Sequence, residues 1–199
     1  MKYLLTALFI MACGVITPSW GQDQDTNTPE PEREGYGNAL WGMSAAEVKA
    51  LVKGAPEEVE GGFAVESTVA GHPAIVMYGF TQDKLTLVLV MFTDSHIESN
   101  HYISDWKELK DLLGQKYGVP VEIEWVWIND LFKDDPTQYG TAVSAEQLVI
   151  YETWKTEQTE IEHSLAGRNF QVIHKILYQS RQHQGLREEE QTKEHLDSL

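Results

Sequence analysis

The chain has 199 residues and carries 31 Asp and Glu against 15 Lys and Arg, a formal charge of −16 at pH 7. Such a surface repels polyphosphates, whose recognition rests on Lys and Arg contacts, so nucleic acid and anionic membranes are excluded as partners. Cys13 is the single cysteine, which excludes a disulfide framework and a cysteine-rich zinc site and leaves stability to a packed core in one domain.

Lys2 followed by an uncharged apolar run from Tyr3 to about Ile16 reads as a secretory signal peptide, too short for a membrane anchor. Ser19 and Gly21 supply small residues before a cleavage site. This reading gives a signal peptide over 1–21, a periplasmic or secreted mature protein, and no transmembrane segment in it. Ile10-Met11-Ala12-Cys13 offers a second site, a lipoprotein box that would make Cys13 a lipid anchor. Residues 22–36, rich in Asp, Glu, Thr and Pro, are expected to be a disordered acidic leader.

Folded structure is expected over 37–180. Ser44 and Glu47 have the spacing of a capping box, Met43 and Val48 that of a hydrophobic staple, and Gly54 with Pro56 ends the helix. Phe63 to Ala70 alternates as a strand, and Gly71-His72 is expected to turn it into a second, Pro73 to Phe80. Thr81 to Lys84 closes the next hairpin into Leu85 to Phe92, in a register setting Val76 and Tyr78 beside Leu89 and Leu87. Tyr102, Trp106, Leu109, Leu113 and Tyr117 recur at helical spacing, with Leu112 widening the stripe. Asp105, Lys107, Lys110 and Gln115 form the opposite, solvated face. A strand follows over Val121 to Asn129, then a loop with a short helix near Ala142 to Glu146. Three further strands turn at Lys155 to Gln158 and at Gly167-Arg168, leaving a polar tail over 181–199, disordered or a frayed helix. Helices set apart from an antiparallel meander give an α+β class: one sheet packed by two main helices.

Trp41 to Val48, Tyr117 to Pro120 and Trp154 to Ile161 carry a resemblance. With its Trp-Gly-Met-Ser-x-x-Glu-Val opening helix, the chain resembles an uncharacterised family of small exported bacterial proteins. More distantly it is similar to the helix-then-sheet modules of β-lactamase-inhibitor-like proteins and of the small lipoprotein subunit of the outer-membrane β-barrel assembly machinery. Those modules place two helices before the sheet, whereas here a helix lies between strands, so their partners do not transfer.

Three groups of residues invite a functional reading. Turns at the positions above set Glu152, His163 and His174 on one face of neighbouring strands, two imidazoles and a carboxylate suited to zinc, provided the register holds. Otherwise they are polar interruptions of an apolar face. Asp94, His96, Glu98 and His101 crowd one loop without a recognised metal spacing, and Ser99 or Asn100 there serves as a helix cap. Trp125 and Trp127 share a strand face; exposed, they form a stacking platform for a sugar ring or a partner's side chain, and buried they are core. No Gly-x-Ser-x-Gly elbow, His-Glu-x-x-His helix or phosphate loop is found. The expectation is a noncatalytic exported protein of the cell envelope that binds a protein or small ligand. The alternatives are a metal-binding protein or metal-dependent hydrolase built on Glu152, His163 and His174, and a carbohydrate-binding module built on Trp125 and Trp127.

Overall fold

In the computed structural model, which describes residues 34–197, the first helix starts where the Ser44–Glu47 spacing puts it. The Ser44 hydroxyl accepts from the Glu47 N–H while the Glu47 carboxylate accepts from the Ser44 N–H at 2.8 Å, so α1 (Ala45–Leu51) begins with its orphan donors satisfied. The segment read as a signal peptide, 1–21, and most of the acidic stretch read as a leader, 22–36, lie outside the described residues. The leader's last two residues form β1 (Gly35–Tyr36), paired with β2 (Ala39–Leu40). Tyr36 packs there against Tyr178, ring centroids 5.1 Å apart, and Glu34 accepts hydrogen bonds from the hydroxyls of Thr156 and Thr159.

The remaining strands are β3 (Glu57–Val59), β4 (Gly62–Val69), β5 (His72–Thr81), β6 (Lys84–Phe92), β7 (Glu122–Trp127), β8 (Leu148–Lys155), β9 (Thr159–Arg168) and β10 (Gln171–Ser180). They form one antiparallel sheet in the order β3-β4-β5-β6-β10-β9-β8-β7, the α+β architecture that alternation and helix placement imply. Its main helix α2 (Asn100–Tyr117) buries Ile103, Trp106, Leu109 and Leu113 against one face. Leu112 does not widen the stripe; it is exposed, and Ile103 takes that part on the other flank. The short α3 (Tyr139–Ser144) starts three residues earlier than expected, and α4 (Gln184–Asp197) occupies the polar tail. Arg187 ties α4 down by donating to the carbonyls of Thr86 and Ser180. No described helix is long and apolar enough to cross a membrane.

Four turn and register expectations are corrected. The β4–β5 turn is Ala70-Gly71, both at positive φ, one residue earlier than Gly71-His72. At the closed end of the β5–β6 hairpin Phe80 pairs with Leu85 as expected, but a bulge beyond Gly79 shifts the register by one. Val76 and Tyr78 therefore face Val90 and Val88, and Leu87 and Leu89 turn to the opposite face. The β8–β9 loop moves one residue on, pairing Lys155 with Glu160, because Thr156 and Thr159 exchange backbone and hydroxyl hydrogen bonds inside it. The β9–β10 turn is Asn169-Phe170, both at positive φ as a two-residue hairpin turn requires. Gly167 is needed elsewhere: a Cβ there would sit 1.9 Å from the Val143 carbonyl, so its missing side chain lets α3 lie on β9.

Apolar residues of the covered face form two cores. Phe63, Val76, Val88, Val90, Trp154, Ile161 and Ile176 belong to one; Ile103, Trp106, Ala142, Leu148, Ile150 and Leu165 belong to the other. Between them runs a polar row.

Candidate functional site

The polar row is Glu152, His163 and His174, brought together as the alternation implies although both register expectations were displaced. Glu152 pairs directly with His163, where Ile161 had been expected opposite it, and His174 pairs with Leu165, which puts it diagonal to His163. Both displacements are even, so no side chain changed face. His163 Nε2 lies 2.9 Å from His174 Nε2, and His163 Nδ1 lies 3.7 Å from Glu152 Oε1. The Trp106 ring stacks on His163 at 5.7 Å and 15°, and Lys110 Nζ comes within 3.5 Å of Glu152 Oε2. Lys110 thus leaves the solvated face assigned to it and reaches down to the sheet.

Burial governs the charge of this row. Glu152 and His163 are fully buried. Desolvation pushes both imidazoles down to about 3, with Lys110 adding to the effect on His163 and His163 adding to that on His174. Desolvation also raises the Glu152 carboxyl, against the opposing pull of Lys110. Both histidines are therefore neutral at physiological pH, one donating and one accepting at the Nε2–Nε2 contact. His163 offers its two nitrogens in opposite directions, one to Glu152 and one to His174. One imidazole cannot aim both at a single point, so in this arrangement the three residues form a buried polar row whose ligand atoms do not converge.

A second cluster lies where the β4–β5 turn, the end of β6 and α2 meet. His72 opens β5 and Asp94 follows β6, held beside it by the Thr93 N–H to Pro73 carbonyl bond. Tyr102 of α2 donates to the Asp94 carbonyl and accepts from the His96 N–H, folding the loop over the helix. His72 Nδ1 is 3.2 Å from Asp94 Oδ2, and His96 Nε2 contacts Asp105 Oδ2 at 2.5 Å. One ligand atom from each of His72, Asp94 and Asp105 falls within 4.8 Å of the others. The crowded loop is thus divided: Asp94 and His96 join this cluster, while Glu98 and His101 stay exposed and face each other at 3.7 Å. Ser99 is the N-cap residue of α2, as expected, but its side chain makes no capping hydrogen bond; Asn100 accepts from the Gly140 N–H and donates to the Pro136 carbonyl. Sequence reasoning missed His72, placed in a turn, and Asp105, placed on a solvated helix face. No local signal marks either, because the cluster exists only after three elements dock.

The third site is the sheet edge. Trp125 and Trp127 are half-buried and wedged edge-on against other rings: Trp106 and Tyr139 at 5.6 and 5.5 Å from Trp125, and Tyr139 at 5.3 Å from Trp127. Sharing Tyr139, they are packed as a cluster rather than laid side by side as an open platform. Their strand, β7, pairs with β8 alone among the described strands. Ile123 and Val126 on β7 are 47% and 40% exposed, and Val119, Val121, Ile128 and Leu131 flanking it are more so. Glu122 and Glu124 point to the open face beside Tyr151. There the phenol is pushed up to about 12 by its hydrogen bond with Glu124, with Glu122 and Glu162 adding. The opposite edge, β3, is three residues long and acidic, with Glu58 joined to Lys49.

Comparison of the chain with protein-family models, with curated proteins and with solved structures returns no match.

Proposed function

We propose that this protein is a noncatalytic, exported binding module of the cell envelope that captures an extended partner segment by strand addition at β7. The carrying observation is the contrast between the two sheet edges. β3 is short and charged, the usual way of blunting an edge, whereas β7 has no partner on its outer side among the described strands and carries apolar residues between its glutamates. Added strands gain backbone hydrogen bonds from such an edge and specificity from alternate side chains. Ile123, Trp125 and Trp127 offer apolar contact on the α2 side, and Glu122 and Glu124 offer negative charge on the other. The complementary occupant is a peptide that alternates apolar and basic residues. The apolar run in residues 3–16 supports export, and the enclosure of Glu152, His163 and His174, with both imidazoles neutral, supports a structural rather than catalytic use of those groups.

Amide hydrogen exchange with a ten-residue peptide alternating Ile and Lys tests this reading. Protection confined to β7, weakened by added salt and by Val126→Lys, is the expected result. Absence of protection at β7, or equal protection by the Ile and Glu counterpart, would overturn it. A concentration-dependent dimer protecting the same amides would replace the basic peptide with a second copy.

A further inference from the structure

We infer that His72, Asp94 and Asp105 form a divalent transition-metal site, with zinc as the fitting ion and His96 as the residue that orients Asp105. The site stands apart from the strand-addition edge and does not depend on it. Its ligand atoms come from three elements, the start of β5, the segment after β6 and the second turn of α2, and all lie within 4.8 Å of one another. Ligands around a tetrahedral ion at about 2.0–2.2 Å from the metal sit about 3.3–3.6 Å apart, so side-chain rotation has to draw the widest pair inward by up to about 1.5 Å. The ligand side chains are 15–22% exposed, sheltered enough to hold their rotamers and open enough to admit an ion.

The donor set selects the ion class. An imidazole nitrogen with two carboxylates suits zinc and its first-row neighbours, whereas calcium and magnesium sites are built from oxygen alone. Two aspartates supply the negative charge that a dication needs. The supporting contacts have the form of an outer shell: His96 holds Asp105, Phe92 packs edge-on against His72 at 5.9 Å, and Tyr102 fixes the Asp94 backbone. Three protein ligands leave a coordination position for water or a bound group. By contrast, His163 meets Glu152 and His174 through different ring nitrogens, so the Glu152–His163–His174 row does not converge on one point as this cluster does.

Calorimetric titration of the full chain, purified without a polyhistidine tag, with zinc chloride tests the assignment, and cobalt(II) absorption reports the coordination geometry. One ion per chain is expected at micromolar metal, with tetrahedral cobalt bands. Asp94→Asn and His72→Ala should each abolish it, His96→Ala should weaken it roughly 10–100-fold as an outer-shell loss does, and Glu152→Gln should leave it unchanged. Circular dichroism identifies any variant that fails to fold, and the near-isosteric Asp94→Asn then carries the test. No zinc binding by the unaltered chain would overturn the site. So would binding that survives Asp94→Asn with Asp105→Asn, or binding lost only in Glu152→Gln.

Discussion

His163 meets His174 nitrogen to nitrogen at 2.9 Å beneath α2, on the seam where the two apolar cores abut. A polar row at that position divides the covered face, and it is tolerable only because both rings are neutral and share one hydrogen bond. Charging either ring would place an imidazolium against a desolvated neighbour, and on His163 close to Lys110 as well.

Acid sensitivity follows from this pair. Both imidazoles are held at about 3 in the folded chain against about 6.5 when unfolded, so the unfolded state binds more protons at acid pH. Their stabilising contribution is complete above pH 6.5 and is lost progressively as pH falls toward 3. Thermal melts from pH 7 to 4 should show a steep fall in Tm that is flattened in His163→Leu/His174→Leu. A double variant as acid-sensitive as the parent would mean that other groups drive the transition.

Glu152 has the opposite sign. Its carboxyl is raised, so what it contributes is present below the ordinary carboxylate range and is lost as pH rises through its folded value. Oε1 of Glu152 and Nδ1 of His163 are both buried without a hydrogen-bond partner among the described residues. Glu152→Gln keeps the shape, removes the buried charge and adds an amide donor facing His163. Urea denaturation at pH 8 should show the variant more stable by roughly 1 kcal/mol, the scale of one satisfied buried group. The gain should shrink as pH approaches 5. A loss of stability at pH 8 would show that the Lys110 contact outweighs desolvation.

Two glycines in helices should respond to alanine with opposite signs. Gly114 in α2 faces open space, and its replacement should stabilise the chain by about 0.5–1 kcal/mol through helix propensity. Gly140 in α3 lies against the start of α2, where a Cβ would come 2.1 Å from the Ser99 carbonyl. Gly140→Ala should destabilise by about 1–3 kcal/mol, as overpacking does. Paired urea titrations of the two variants check the contrast, and equal shifts would place α3 away from α2.

What was legible in the sequence was local. Ser44 and Glu47 mark the first helix start, Trp106, Leu109 and Leu113 mark the buried stripe of α2, and alternation or, in β6, an unbroken apolar run marks the long strands of the sheet. The shared face of Glu152, His163 and His174 was legible as well, because a pleated strand assigns faces by parity and displacements of two or four residues leave parity intact.

Only the tertiary structure decided the rest. The one odd shift, at the β6 bulge, moved Leu87 and Leu89 to the open face, and no count of apolar residues reveals an extra residue in a ladder. Gly167 has the look of a turn glycine, yet the approach of α3 claims it and moves the turn to Asn169-Phe170. His72 and Asp105 gain a common purpose with Asp94 only when a strand, a loop and a helix converge. Periodicity is set by neighbours along the chain, whereas the exact pairing and the meeting of distant ligands are set by how the layers close on one another.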